Sequence, residues 1–427
     1  MNRPGREVRR RELGGPDPLD RRLVVHRISP LSWLLTLLRT RSALGLAPSL
    51  TPAIVFLPVG VLLGPRALGI LSPAALANLD VAVTVALAVL GILVGIALGR
   101  EIGTAPRIFI AASLESGITI AAVAGAAMYF ATKTSLPPFG APLLVVALAL
   151  GLCASASSAT SADPDSEPAA AVATRVADLD DVLPIAIATC ALLPAASSPG
   201  EAWLLVLAPV FIGLAVGAIG WLVFDRADSG GERAVFVLGS VGLAGGAAAY
   251  LKVSPLTTGL VAGLCWTLLP GRADRIAQVD LGKVQHPLVV LLLVIAGALW
   301  KPDAVAIWLL APYLLFRLAG KVVGAWASAS LADVSPGDLA SYLMPPGVLA
   351  IAFALNFRQL LGGSTGDTLL SAVAMGTAAF ELFALAVVPR WRQRAHPPDA
   401  SSGSTSSSDT AASRTPQIQT RPAQGAP

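Results

Sequence analysis

The chain has 427 residues, of which 55% are hydrophobic and only 13% charged, and its formal net charge is +4. Its mean hydropathy is +0.71, whereas a soluble domain carries about 25% charged residues, so an ordinary soluble enzyme or nucleic-acid-binding protein is excluded. Only helices and closed barrels satisfy their backbone in lipid; the alternating ten-residue strands of a barrel are absent, which leaves an all-α polytopic membrane protein.

Residues 1–27 are Arg-rich and read as a basic cytoplasmic tail. They are not followed by a convincing cleavage pattern, so no signal peptide is expected. Residues 28–41 hold an apolar run too short for the ~20 residues a span needs, and read as an interfacial helix. The membrane domain is expected over 42–395, with a disordered tail rich in Ser, Thr and Pro over 396–427. Within it, twelve spans are expected at about 47–64, 74–99, 108–131, 141–162, 170–195, 202–224, 232–251, 254–270, 284–300, 303–327, 338–357 and 367–389.

Lys and Arg placement sets the expected topology. With the N-terminus inside, the inner loops carry Arg100, Arg107, Arg226, Arg233, Arg272, Arg275, Lys283, Arg390, Arg392 and Arg394. The outer loops carry Arg66, Lys133, Lys252, Lys301 and Arg358. This argues for an even number of spans and for both termini in the cytoplasm. Cys153, Cys190 and Cys265 all fall in apolar runs, and His26, His286 and His396 are isolated. None shows metal-ligand spacing, and no cofactor is implied.

Four features break the apolar pattern. In the fourth span, Ala154-Ser155-Ala156-Ser157-Ser158-Ala159-Thr160-Ser161 is followed by Asp163-Pro164. Hydroxyl side chains compete for backbone groups and favour bent or unwound helix, whose carbonyls can hold a cation; alone, the run reads more simply as a small-residue packing face. In the fifth span, Asp178, Asp180 and Asp181 lie among small apolar residues. An ionised acid at bilayer depth costs about 2.5–3.5 kcal/mol on insertion scales, so a proton or cation site is the default reading. On a helix Asp178 and Asp181 would share a face, with Asp180 about 100° away. The alternative is a loop over Arg175–Asp181 with the span starting at Val182, which would leave a short span.

In the tenth span, Arg317 and Lys321 stand one turn apart beside Gly320 and Gly324. With an acid cluster available, an intramembrane salt bridge is expected. In the eleventh, Met344-Pro345-Pro346-Gly347-Val348 interrupts the hydrogen-bond ladder. Interrupted helices in corresponding halves point to a transporter with inverted repeats and a midplane site. Glu115 in the third span is a further buried acid, without a partner visible in the sequence.

An ordered set of short motifs carries a family resemblance over about residues 44–390. It comprises Gly60-Val61-Leu62-Leu63-Gly64-Pro65, Gly91 to Glu101, Asp180-Asp181-Val182-Leu183, Ser254-Pro255-Leu256 through Ala262-Gly263-Leu264, Lys321-Val322-Val323-Gly324 and Pro345-Pro346-Gly347. The chain resembles the monovalent cation–proton antiporter superfamily, the sodium/proton exchangers and potassium-efflux antiporters. The resemblance implies crossed broken helices in a core that moves against a panel, and a homodimer in the lipid bilayer of the cell membrane. It implies Asp181 as the cation and proton carboxylate and Asp180 as a second acid paired with Lys321. Ser157, Ser158 and Thr160 would offer ligands; Asp178 and Asp163 are this chain's own additional acids and are read as auxiliary. In the family a loop separates the first broken helix from the paired aspartates. Here about twenty residues separate Ser161 from Asp181, so the second half-helix is expected to be shortened or replaced by an acidic turn.

The function expected is exchange of sodium or potassium for protons by alternating access. An uncoupled cation pathway, a sodium-dependent organic-anion symporter on a similar scaffold and a degenerate sensor are the alternatives. An intramembrane enzyme is disfavoured, because the sequence offers no nucleophile–base set.

Overall fold

The structure is a computed structural model and describes residues 52–134, 140–158, 168–224, 226 and 229–395. The basic segment 1–27, the expected interfacial helix 28–41 and the tail 396–427 lie outside these residues. In chain order the helices are α1 (Pro52–Leu63), α2 (Pro73–Ile102), α3 (Pro106–Lys133), α4 (Leu143–Ser155), α5 (Pro168–Leu179) and α6 (Val182–Ala188). A 3₁₀ turn over Cys190–Ala195 follows. Then come α7 (Pro199–Phe224), α8 (Gly230–Leu251), α9 (Pro255–Leu268), α10 (Ala273–Ala298), α11 (Ala304–Ala332), α12 (Pro336–Leu343), α13 (Leu349–Leu361) and α14 (Gly363–Ala395). Where their residues are described, the twelve expected spans fall on these elements, within a few residues at most ends, and 47–51 and 159–162 lie outside the described residues.

Local sequence explains the helix starts. Ser72, Ser254 and Ser335 each cap a helix whose first residue is a proline, and each side chain accepts a backbone N–H three residues on. Such a cap satisfies one orphan donor, and proline at the first position lacks an N–H that would have been orphaned anyway. Asp303 caps α11 in the same way.

Seven described helices, α2, α3, α7, α8, α10, α11 and α14, are long and apolar enough to cross a membrane. Helices α4 and α13 have only 13 residues each. At 1.5 Å per residue they span about 20 Å, against a hydrocarbon core of about 30 Å. Both end inside the protein, and those two buried ends build the candidate site.

The helices pack in two groups. In one, α2 packs most extensively on α9, α9 on α7, and α10 on α1, with α8 beside α2 and α7. Four glycines make the α2–α9 contact. A Cβ on Gly91 or Gly95 would lie 2.2 Å from the carbonyl oxygen of Leu256 or Leu260, and one on Gly263 would lie 2.1 Å from that of Ile92. Gly259 meets Ala88 at 2.2 Å in the same sense. Each helix thus presents glycines four residues apart, the small-residue spacing that lets membrane helices touch backbone to backbone. In the other group α11 packs on α3, α3 on α4, and α13 on both α4 and α14.

Polar contacts tie these elements together. Thr257 Oγ1 on α9 donates to the Ile185 carbonyl at 3.1 Å, and Ser254 Oγ lies 3.2 Å from Asn356 Oδ1 on α13. At one end, Gln359 Nε2 donates to Thr84 Oγ1 at 3.1 Å and Lys301 Nζ to Asp367 Oδ2 at 2.7 Å. At the other, Arg175 of α5 pairs with Glu101 of α2.

Candidate functional site

The fourth span does not continue as one helix. After Ser155 the chain turns extended, with Ala156 at φ −59° and ψ 128°. Ser157 forms an isolated antiparallel bridge with Pro346. Ser158 N donates to the Pro345 carbonyl at 2.9 Å and Gly347 N to the Ala156 carbonyl at 3.2 Å. The two interrupted segments therefore cross, and each supplies hydrogen bonds that the other's broken ladder lost. Pro345 and Pro346 cannot donate, which forces the break. Gly347 permits the crossing, because a Cβ there would lie 2.5 Å from the Ser157 carbonyl oxygen.

The fifth span departs from the continuous helix expected over 170–195. Helix α5 ends at Leu179, the chain turns through Asp180 and Asp181, and α6 starts at Val182. Pro184 gives a local reason. It lacks the N–H that would reach back four residues to the Asp180 carbonyl. That carbonyl instead accepts from Ser116 Oγ of α3 at 2.8 Å. The shared helical face expected for Asp178 and Asp181 is consequently not formed. Asp180 and Asp181 are buried, Asp181 at 3% exposure, whereas Asp178 is exposed. The alternative of a loop over Arg175–Asp181 does not hold either, since α5 is helical to Leu179.

Both basic residues of α11 are fully buried, and neither snorkels. Arg317 donates to the carbonyls of Ala154 and, at 2.9 Å, Ala156. Its guanidinium carbon also lies 5.1 Å from the Phe380 ring centroid. Among the described residues Arg317 does not form the expected salt bridge and takes the carbonyl end of α4 instead. Orphan carbonyls and the negative end of the helix dipole suit a cation there.

Lys321 takes the next carbonyl, that of Ser155, together with Ser157 Oγ. Its Nζ also lies 3.0 Å from Glu115 Oε1 and 3.3 Å from Asp180 Oδ2. Glu115 is held in turn by Thr119 Oγ1 at 3.1 Å. No partner for Glu115 is visible in the sequence. The only signal that could have found it is Gly320-x₃-Gly324, which allows α11 to approach α3: a Cβ on Gly324 would sit 3.0 Å from the Glu115 carbonyl oxygen.

The structure therefore brings together Asp180, Asp181, Ser157, Ser158, Lys321, Arg317, Pro345, Pro346 and Gly347 around one crossing. Thr160 and Asp163 lie outside the described residues, and Asp178 lies one turn before the pair on the exposed side. Three buried carboxylates, Glu115, Asp180 and Asp181, share the region with two buried bases. Asp180 Oδ1 and Asp181 Oδ1 are buried and accept no hydrogen bond from the described residues. Buried polar atoms are nearly always partnered, and each of these oxygens keeps its capacity to accept a hydrogen bond or ligate a cation.

No family model matches the sequence, and no curated protein matches it. Among solved structures it is similar to the sodium proton antiporter MjNhaP1 from Methanocaldococcus jannaschii at pH 8, at 17% identity and a TM-score of 0.51. The match covers 80% of this chain and 91% of that one. At that identity the likeness establishes architecture: the chain is an all-α polytopic membrane protein with the fold of a sodium proton antiporter.

Proposed function

We propose that the chain is a secondary transporter that exchanges a monovalent cation, sodium or potassium, for protons by alternating access. One observation carries the reading: two adjacent buried carboxylates, each with an unpartnered oxygen, sit where two half-helices cross. A dehydrated monovalent cation needs oxygen ligands and a compensating charge. Asp181 would supply the charge and Asp180 a second carboxylate, with Ser157 and Ser158 offering hydroxyl or carbonyl oxygen at the break. A proton satisfies the same carboxylates, so cation and proton compete for one place. Coupling follows if the loaded group of helices crosses and the empty, charged one does not.

The access route has a sequence rationale. The basic loops assigned to the cytoplasm lie at the end that carries Glu101, Arg175 and Asp178. Asp178 is exposed one turn from Asp181, which supports an opening on that side. The shared antiporter fold supports the same reading at the level of architecture.

Simultaneous cation and proton fluxes in proteoliposomes test it. Adding sodium, lithium or potassium to acid-loaded vesicles is expected to release protons with at least one of the three, and to do so with the membrane potential clamped at zero. Cation uptake without opposing proton movement would instead indicate an uncoupled pathway.

A further inference from the structure

Lys321 is bound by two carboxylates from different helices, and only one belongs to the proposed cation site. Its Nζ lies 3.3 Å from Asp180 Oδ2 on the α5–α6 turn and 3.0 Å from Glu115 Oε1 on α3. All three side chains are buried. Glu115 is fixed independently of the aspartates: Thr119 Oγ1 donates to it, and Gly320 and Gly324 bring the backbones of α3 and α11 close at this level.

A cation that binds Asp180 and Asp181 must compete with the lysine for Asp180. If Asp180 were the lysine's sole acid, the incoming cation would leave a buried ammonium without a counter-charge, which is strongly unfavourable. We propose that Glu115 is a positioning residue, the standing counter-ion that keeps Lys321 paired while the transported cation takes Asp180 from it. This rests on the proposed site at Asp180 and Asp181, and it gives the third buried acid a task distinct from theirs. In the unloaded site Lys321 bridges Glu115 and Asp180. In the loaded site it stays on Glu115, Ser155 O and Ser157 Oγ, and Asp180 is free to ligate.

The test is cation binding by the purified protein, read as protection against thermal unfolding over a sodium, lithium or potassium titration; it needs no turnover. Glu115→Gln keeps the shape and the acceptor for Lys321 and removes the charge. Its half-saturating cation concentration is expected to rise about tenfold or more, the scale of a typical coupling between sites. Glu115→Asp is expected to recover affinity to within about threefold of wild type. In a Lys321→Gln background the Glu115→Gln penalty should vanish, because residues that act through each other are not additive.

Should Glu115→Gln fail to fold, Thr119→Val loosens Glu115 with its charge intact, and is expected to weaken binding about threefold in the same direction. An unchanged half-saturation in Glu115→Gln, an Asp variant as weak as the Gln one, a full penalty in the Lys321→Gln background, or, if Thr119→Val is the variant used, wild-type affinity would each overturn the inference. Absence of cation protection in the wild-type protein would overturn the proposed function instead.

Discussion

Replacing Lys321 with methionine is expected to lower stability by about 3–5 kcal/mol, the usual cost of removing one partner from a buried ion pair. The side-chain volume is nearly kept, so the loss is electrostatic. Glu115 and Asp180, which share the ammonium at 3.0 and 3.3 Å, would face each other without it, and the Ser155 carbonyl would lose a donor. Thermal unfolding of the detergent-solubilised protein reads the effect. Lowering the pH neutralises the orphaned acids and is expected to shrink the deficit. Removing Glu115 as well, in Lys321→Met/Glu115→Gln, should cost less than Lys321→Met alone. A single mutant as stable as wild type at neutral pH would mean that the lysine does not hold the cluster together.

The second large effect is expected at the α2–α9 contact. Gly263→Val places a branched side chain where even a Cβ would lie 2.1 Å from the Ile92 carbonyl oxygen. That atom belongs to helix backbone and cannot swing aside, so α2 and α9 must separate. The cost is expected at or above the top of the roughly 1–3 kcal/mol typical of overpacked cores. The separation would also displace Ser254 and Thr257, which tie α9 to Asn356 and to the Ile185 carbonyl. Gly246→Val is the control, since a Cβ there meets nothing within 4 Å. A large loss of monodisperse protein for Gly263→Val and little for Gly246→Val is the expected pattern in size-exclusion chromatography.

Much of the fold was legible because membrane spans announce themselves by length and polarity. The apolar run read at 74–99 is the heart of α2, and that at 202–224 lies within α7 (Pro199–Phe224). The second helix break was legible for a local reason too, since Pro345 and Pro346 cannot donate. The first break was harder. Hydroxyl residues favour a bend without fixing where it falls, and the break here is completed by the pairing of Ser157 with Pro346 and its flanking hydrogen bonds.

The fifth span reads as continuous because a span starting at Val182 would be short; Pro184, whose missing N–H falls at the Asp180 carbonyl, is the local signal for the turn. The sequence points Arg317 towards an acid. Its real partners are carbonyls at the end of α4, and a helix end turned inward has no signature in the sequence of the distant helix that caps it. Glu115 was unassigned for the same reason: its contact with Lys321 depends on how closely α3 and α11 approach, a tertiary property hinted at only by Gly320 and Gly324.

One measurement bears most directly on the proposed site. Asp181→Asn preserves the size and much of the polarity of a residue that is 3% exposed and has an unpartnered oxygen, while removing the negative charge and the titratable proton. In acid-loaded proteoliposomes matched for protein content, cation-evoked proton release is expected to fall to the level of empty vesicles. Exchange at the wild-type rate in Asp181→Asn would contradict the assignment of this carboxylate as the shared carrier of cation and proton.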